Sequence, residues 1–322
     1  MLRMDDFSVV VAKSYAEAAA AWSPEAMYVA GGTDLLPNLK HRLFHPKTLI
    51  HIGGIPGEVV EEEGAIRLGA GVRLSQLATH PVVLQKLAPL ATAAGLVAGP
   101  QIRNMGTLGG NIMLDTRCLY YNQTEFWRKS LGYCLKAEGT WCHVVGGPKT
   151  CVATQSSDTV PVLLCLDAEL LLVGPAGERS LKLRDLYRYN GMDHLTIAKG
   201  ELLTTVRVPL PGPGFRGSYH KLRTRASIDY PQLSVAFTGC FEGDVPLSLE
   251  GVIGAVNPQP KPLKGLEAYL GRPLDGAAIE AIAAQVYKST RPQGSVHGDT
   301  NWRRQMAVVY TRRALQALAA AQ

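Results

Sequence analysis

Apolar residues occur along the first part of the chain in short runs separated by segments with helical spacing. Runs rich in β-forming residues predict strands at 26–30, 47–53 and 65–71. Apolar residues three and four positions apart predict helices at 72–80 and 82–98. The first part of the chain is therefore expected to combine helices with β-sheet.

A segment rich in proline and glycine, residues 209–217, divides this pattern. Before it, 160–174 predicts a buried helix that gives way to a strand, and GPAG at 174–177 predicts a hairpin turn. Beyond it the pattern predicts strands at 217–225, 233–241 and 248–256, and helices at 263–271, 277–289 and 301–321. The expected fold class is α+β, with one domain at 1–215 and another at 216–322.

The composition is that of a globular protein with a substantial core. Of the 322 residues, 46% are hydrophobic and 19% are charged, which provides ample apolar surface to bury. The first residues, MLRMDDFSVV, lack the basic and long apolar segments of a signal peptide. No apolar run reaches the roughly 18 residues that a membrane span requires. We therefore expect a cytoplasmic protein with no membrane contact.

The net charge of +6 raises the question of nucleic-acid binding. The densest basic cluster comprises Arg303, Arg304, Arg312 and Arg313, in two pairs nine residues apart. That spacing predicts a solvated helix surface, whereas a nucleic-acid footprint needs basic residues on one face. The sequence therefore predicts no nucleic-acid partner, although a basic surface would suit an acidic protein.

Two glycine turns carry the first chemical signal. Gly31, Gly32, Thr33 and Asp34 follow a predicted strand directly, and GTLGGN at 106–111 forms a second turn. Glycine lets backbone N–H groups approach a phosphate closely, because it has no Cβ. Neither turn matches the dinucleotide fingerprint or the phosphate-loop motif. Each alone could be a tight turn, whereas both together predict one bound phosphate-containing cofactor.

Four cysteines within 34 residues carry the second signal: Cys118, Cys134, Cys142 and Cys151. The spacing C-x15-C-x7-C-x8-C fits no common zinc-finger template, and a long cytoplasmic chain does not favour disulfides. Four thiolates suit an iron–sulfur cluster or a zinc ion, and unligated thiols are the third possibility. Of the other cysteines, Cys165 and Cys240 lie in apolar runs and are expected to be core thiols. His143 is expected to be a loop histidine and not a ligand.

Five ordered motifs resemble a known family: AGGTDLLP, PQIRNMGTLGGNI, SSDTVPVLLCLDA, GELLTTVRVPLP and YHKLRTRASIDYPQLSVA. They are similar to the FAD-binding medium subunit of the xanthine oxidase and carbon monoxide dehydrogenase family, over nearly the whole chain. The resemblance implies a two-lobed FAD-binding domain of the vanillyl-alcohol-oxidase (PCMH) type at 1–215. It also implies a C-terminal α+β domain like that of the carbon monoxide dehydrogenase flavoprotein.

The resemblance also implies roles for individual residues in binding FAD. Two segments would wrap the pyrophosphate from opposite sides: Tyr28, Val29, Ala30, Gly31, Gly32, Thr33, Asp34 and Leu35, and Thr107, Leu108, Gly109, Gly110 and Asn111. Asp158 would bind toward the nucleotide end, Leu203 and Lys221 would lie near the flavin, and Val97 matches a further contact position. On the residues alone, other interpretations exist. Asp34 or Asp158 could cap a helix, Leu203 could be core, and Lys221 could be a solvated strand residue.

The cysteine loop, about residues 112–155, has a narrower resemblance. NIMLDTRCLYYNQTEFWR, GYCLK and WCHV are similar to the loop of the β subunit of 4-hydroxybenzoyl-CoA reductase, which holds a 4Fe–4S cluster on four cysteines. This implies that a ferredoxin-like donor passes electrons through the cluster to FAD, for reductive removal of a phenolic hydroxyl in aromatic degradation. Molybdopterin and a 2Fe–2S centre would lie on a large and a small partner subunit, in a dimer of heterotrimers.

Two rival functions remain open at the level of sequence. The first is an FAD subunit of an NAD-linked hydroxylase with a structural metal in the cysteine loop. The second is a non-enzymatic binding module that a metal staples together and that uses its basic surface. The content of flavin, iron and zinc in the purified protein distinguishes the three.

Overall fold

The computed structural model describes residues 3–320. The strands are β1 Ser8–Val11, β2 Ala26–Val29, β3 Thr48–His51, β4 Val59–Glu62, β5 Ala65–Gly69, β6 Glu169–Gly174, β7 Gly177–Lys182, β8 Leu202–Pro209, β9 Phe215–Leu222, β10 Leu233–Glu242, β11 Val245–Pro246, β12 Glu250–Gly254 and β13 Lys261–Pro262. The helices are α1 Tyr15–Ala20, α2 Leu35–Lys40, α3 Leu74–Thr79, α4 Pro81–Lys86, α5 Ala88–Gly95, α6 Pro100–Met105, α7 Leu108–Ile112, α8 Glu125–Ser130, α9 Thr159–Cys165, α10 Gly276–Ser289 and α11 Thr300–Ala320. Short 3-10 turns lie at Leu183–Asp185 and Leu266–Tyr269.

Three sheets organise these elements. The first is a parallel sheet in the order β1-β3-β2, in which Tyr28 of β2 pairs with Ile50 of β3. The second is antiparallel in the order β4-β5-β8-β6-β7, and its β6–β7 hairpin closes at Gly174 and Gly177 as the sequence predicts. The third has β10 at its centre, between β9 and β12, with β11 and β13 at its edges.

The sheets are joined through a shared core. The largest buried cluster packs α3, α5 and α9 against β5, β6 and β8, and it includes Leu90, Leu163 and Leu170. Tyr219 and Ala236 of the third sheet belong to the same cluster. A second cluster beneath α10 and α11 covers the other face of the third sheet. The second and third sheets therefore share one continuous hydrophobic core.

The α+β fold class is confirmed, since helices and sheets combine in both parts of the chain. Residues 210–214 connect β8 to β9, where the proline and glycine run lies. The division into domains at residue 215 stays a prediction. Within residues 3–320, no helix has the length and apolar character needed to cross a bilayer.

The predicted solvated surface is wrong for Arg303. This side chain on α11 is completely buried, and its guanidinium donates to the carbonyls of Gln232 at 2.8 Å, Gln293 at 2.7 Å and Ala255 at 2.8 Å. Burial lowers its pKa to about 10. Helical spacing places the two arginine pairs on different sides of the helix. It could not show that three other segments of the chain contact Arg303.

Candidate functional site

A cavity of about 450 Å³ lies between the glycine turn after β2 and the turn that precedes α7. We call it the glycine-lined cavity. Most of the residues implicated by the family resemblance line it: Tyr28, Val29, Ala30, Gly31, Gly32, Thr33, Asp34, Leu35, Val97, Thr107, Gly109, Gly110, Asn111, Asp158 and Leu203. Leu108 and Lys221 do not line it. Leu108 is fully buried in the main core, and Lys221 lies behind Asp158.

The two glycine turns contact each other through their backbones. A Cβ on Gly31 would lie 2.0 Å from the carbonyl oxygen of Met105, so no larger residue fits there. Gly32 has a φ of +69°, a conformation that favours glycine. A Cβ on Gly110 would meet only the Thr107 hydroxyl, at 3.1 Å. Gly31 is therefore needed for the fold, whereas Gly110 leaves space at the cavity.

Asp158 forms a buried ion pair beside this cavity. Its carboxylate accepts from Lys221 Nζ at 2.9 Å and from Tyr219 Oη at 2.6 Å, and Lys221 also donates to the Leu96 carbonyl at 3.0 Å. Burial raises the pKa of Asp158 and lowers that of Lys221, and their mutual contact opposes both shifts. The interpretation of Lys221 as a solvated residue is wrong, because only 1% of its side chain is exposed.

Both aspartates occupy N-cap positions, Asp34 before α2 and Asp158 before α9, but neither side chain makes a capping hydrogen bond. Asp34 is engaged elsewhere. It accepts from Tyr230 Oη at 3.0 Å and pairs with Arg117, whose guanidinium lies 4.5 Å from the centre of the Tyr230 ring. The capping interpretation is therefore wrong for both.

Sequence reasoning missed Arg117 and Tyr230 in this arrangement. Tyr230 lies in the ASIDYP segment of the fifth family motif and lines the glycine-lined cavity, so the motif was a usable signal. Arg117 immediately precedes the first cysteine, and nothing in its sequence surroundings indicates its partner. It connects the edge of the glycine-lined cavity to the start of the cysteine loop.

The four clustered cysteines line a second, small cavity, which we call the cysteine cavity. Cys118, Cys134, Cys142 and Cys151 are each buried, with 5 to 8% exposure, and all are free thiols. Tyr120, Tyr121 and His143 also line the cavity. The structure thus brings together four residues that are spread over 34 positions of the chain.

The electrostatics of this cavity disfavour bare thiolates. Burial raises the pKa of Cys118 to about 12, and the neighbouring cysteines act in the same direction. Burial also raises the pKa of Cys151, although Lys136 partly opposes the shift. Without a cation these thiols keep their protons, and a bound metal would have to displace them.

The arrangement differs from that of a single-ion site. Within residues 3–320, no group of three or more His, Cys, Asp or Glu side chains is gathered as ligands of one metal ion. A structural zinc would need four sulfurs each about 2.3 Å from a single point. The four thiols line a common cavity, and thiolates are ligands of both a zinc ion and a cubane iron–sulfur cluster.

The cysteine loop is fastened to distant parts of the chain. Leu119 N donates to Ser295 O at 2.8 Å, and the hydroxyls of Thr154 and Ser295 lie 2.6 Å apart. His143 Nε2 lies 2.9 Å from the Tyr133 carbonyl, as expected of a loop histidine. Cys165 is buried as predicted, whereas Cys240 is only partly buried and lies near the end of β10.

Comparison with known proteins identifies the family of the chain. Residues 5–211 match the family described as the FAD binding domain in molybdopterin dehydrogenase, and residues 218–318 match the CO dehydrogenase flavoprotein C-terminal domain. The aldehyde oxidoreductase FAD-binding subunit of Escherichia coli is 36% identical over 71% of this chain and 75% of its own. The carbon monoxide dehydrogenase medium chain of Afipia carboxidovorans is 30% identical over 94% of this chain and 93% of its own.

Solved structures show the same similarity. The reconstituted CO dehydrogenase from Oligotropha carboxidovorans superposes with a TM-score of 0.81 at 27% identity, covering 99% of this chain and 100% of that one. This match and the two family matches confirm the predicted fold. The first family match spans the cysteine loop, and its description names FAD binding and no iron–sulfur cluster.

Proposed function

Because the chain belongs to the family of FAD-binding subunits of the molybdenum hydroxylases, we propose that it relays electrons between two groups of its own. One is a non-covalent FAD in the glycine-lined cavity. The other is a 4Fe–4S cluster held by Cys118, Cys134, Cys142 and Cys151. The observation that carries the proposal is that four buried thiols share one cavity within an FAD-binding subunit.

The glycine-lined cavity suits FAD by its construction. The turns at Gly31–Gly32 and Gly109–Gly110 present backbone to a common space, where a pyrophosphate can approach N–H groups closely. Asp158 borders the same space, and Lys221 acts through Asp158 because it lies behind it. A bound flavin exchanges one or two electrons, and the protein contributes its orientation and surroundings.

The cysteine cavity suits an iron–sulfur cluster because four buried thiols line it beside two tyrosine rings. Four thiols line it, and the rings of Tyr120 and Tyr121 help to exclude water. Thiolates are the ligands that hold cubane iron–sulfur clusters, and burial is one of the means by which a protein sets their potential. Metal binding would compensate for the raised pKa that burial gives Cys118 and Cys151.

We propose that partner subunits complete the enzyme. Relatives of this chain are named as medium chains and as FAD-binding subunits, which indicates a multi-subunit assembly. A large molybdenum subunit and a small 2Fe–2S subunit would combine with this chain in a dimer of heterotrimers. A ferredoxin-like donor would deliver electrons by way of the cysteine cavity. The proposed reaction is reductive dehydroxylation of an aromatic acyl-CoA such as 4-hydroxybenzoyl-CoA, on the evidence of the cysteine-loop motifs.

The first experiment measures flavin, iron, acid-labile sulfide and zinc in the natively purified complex and in two variants of this chain. Cys134→Ala should lose about four irons per chain and keep FAD. Cys240→Ala is the matched control, because Cys240 lies outside the cysteine cavity, and it should keep both. Zinc in the wild-type loop, or iron retained by Cys134→Ala, contradicts the cluster.

The second experiment concerns direction and substrate. Reduced ferredoxin should support reduction of 4-hydroxybenzoyl-CoA by the wild-type complex, and Cys134→Ala should abolish this electron delivery. An artificial dye that reduces the flavin directly should still work in the variant. In the NAD-linked alternative, the complex oxidises its substrate and passes the electrons to NAD. If it does so equally well in the variant, that alternative is correct.

A further inference from the structure

A buried ion pair lies between the two cavities. Lys136 lines the cysteine cavity, and Asp115 lines the glycine-lined cavity. Lys136 Nζ lies 2.6 Å from Asp115 Oδ1, with side-chain exposures of 6% and 20% respectively. This pair is therefore a direct side-chain contact between the walls of the two cavities.

The lysine ammonium is held in one position. It donates to the Thr116 hydroxyl at 2.6 Å and to the Thr116 carbonyl at 3.3 Å, besides its contact with Asp115. It also lies 4.5 Å from the centre of the Tyr121 ring. Lys136 is two residues from Cys134, and its ammonium makes four contacts, so its position beside the cysteine cavity is well defined.

Asp115 engages the lysine through one of its two oxygens. Asp115 Oδ1 accepts from Lys136 Nζ and from the Thr116 backbone N–H. His194 Nδ1 lies 3.7 Å from the same oxygen. The carboxylate therefore faces the ammonium directly, and it places a negative charge on the side of the glycine-lined cavity.

We propose that Lys136 sets the reduction potential of the group held on the four cysteines, with Asp115 as its opposing charge on the side of the glycine-lined cavity. The inference rests on the proposed cluster. Reduction adds one negative charge to a site already surrounded by four thiolates. A fixed ammonium nearby stabilises the reduced form, and the low dielectric of a buried site strengthens this effect.

The two ends of the pair act with opposite sign. Lys136 raises the potential of the cysteine-bound group and so eases its reduction by a donor. Asp115 partly cancels that charge, which limits the rise and keeps the group a good enough reductant for the flavin. Both are positioning residues, since they act by their charge and form no bond to either group.

The test is a redox titration of the native complex, followed by the electron paramagnetic resonance signal of the reduced cluster. Lys136→Met should shift the midpoint to a lower potential, and Asp115→Asn should shift it to a higher one. Lys136→Arg keeps the charge and should restore the wild-type midpoint to a large extent. A merely structural role would not give shifts of opposite sign.

The outcomes separate this inference from the proposed function. If the wild-type complex has no iron and no cluster signal, the proposed function fails. If the cluster is present but its midpoint is the same in Lys136→Met, the role of Lys136 is refuted. If Lys136→Met loses its iron, the test rests on Asp115→Asn, which keeps the lysine. An unchanged or lowered midpoint in Asp115→Asn overturns the inference.

Discussion

The glycine-lined cavity and the cysteine cavity are built by different means. The first includes glycine turns that follow β2 and precede α7, where a Cβ on Gly31 would collide with a carbonyl oxygen. Side chains form the second, from a segment between α7 and α9 whose described residues contain one helix, α8. Tertiary contacts such as Leu119 to Ser295 hold that segment in place.

This difference determines what each cavity depends on. The glycine-lined cavity depends on the backbone conformation of its two turns and on the core beneath them. A single added Cβ at one of these glycines can therefore prevent a cofactor from binding. A cavity of side chains needs its distant supports, because little regular secondary structure holds the cysteines. We therefore expect the two cavities to fail separately, and the predictions below test that separation.

The largest expected effect is at Gly110. Gly110→Val should abolish FAD retention and leave the iron content unchanged, because the side chain would occupy space in the glycine-lined cavity. The fold should tolerate it, since a Cβ there meets only Thr107. Flavin absorbance and iron analysis of the purified variant give the result.

Gly54→Val is the control, because a Cβ on Gly54 has no neighbour within 4 Å. Full FAD occupancy in Gly110→Val would remove the assignment of this cavity.

The same difference explains what the sequence could predict. Glycine turns are local in the sequence, and so are the strands and helices that flank them, as the β6–β7 hairpin shows. The contact between Lys136 and Asp115 joins positions 21 residues apart within irregular structure, and no periodicity indicates it. Arg303 was misjudged for a related reason, since its three carbonyl partners belong to separate segments.

The second effect tests the distant support of the cysteine cavity. Arg303 holds the Gln293 carbonyl, two residues from Ser295, which contacts the cysteine loop. Arg303→Met would leave one buried and two partly buried carbonyls without this donor, and we expect it to lower the free energy of unfolding by about 4 kcal/mol. Urea unfolding of the purified chain measures this loss. Iron retention should fall more than FAD retention, whereas Arg313→Met, at an exposed position on the same helix, should change neither.

The third effect concerns the buried ion pair of Asp158 and Lys221 beside the glycine-lined cavity. Lys221→Met would leave Asp158 buried without its cation, which should cost about 3 kcal/mol of stability and weaken FAD binding. Adding Asp158→Asn removes the unpaired charge, so the double variant should regain part of the stability but not the FAD affinity. Calorimetric melting with flavin titration separates the two. Equal instability of the single and double variants would show that the charge is not the cause.

The smallest effect lies at the edge of the glycine-lined cavity, where Glu201 pairs with Arg179 at 2.6 and 2.8 Å. The hydrogen bond from Arg179 lowers the pKa of Glu201 from 4.5, so the pair stabilises the fold fully above that value and progressively less as the pH falls below it.

Arg179 is 41% exposed, and solvent screening limits the contribution of the pair to about 0.5 kcal/mol. Glu201→Gln should therefore unfold slightly more easily than wild type at neutral pH, and this difference in the free energy of unfolding should narrow as the pH falls below 4.5. The exposed Glu178, on the same hairpin as Arg179, serves as the control, since Glu178→Gln removes a carboxylate outside this ion pair and should unfold as easily as wild type at neutral pH. A gap that widens in acid would mean that Glu201 is protonated more readily in the folded protein than in the unfolded chain, and that the edge of the cavity is held by packing and not by this pair.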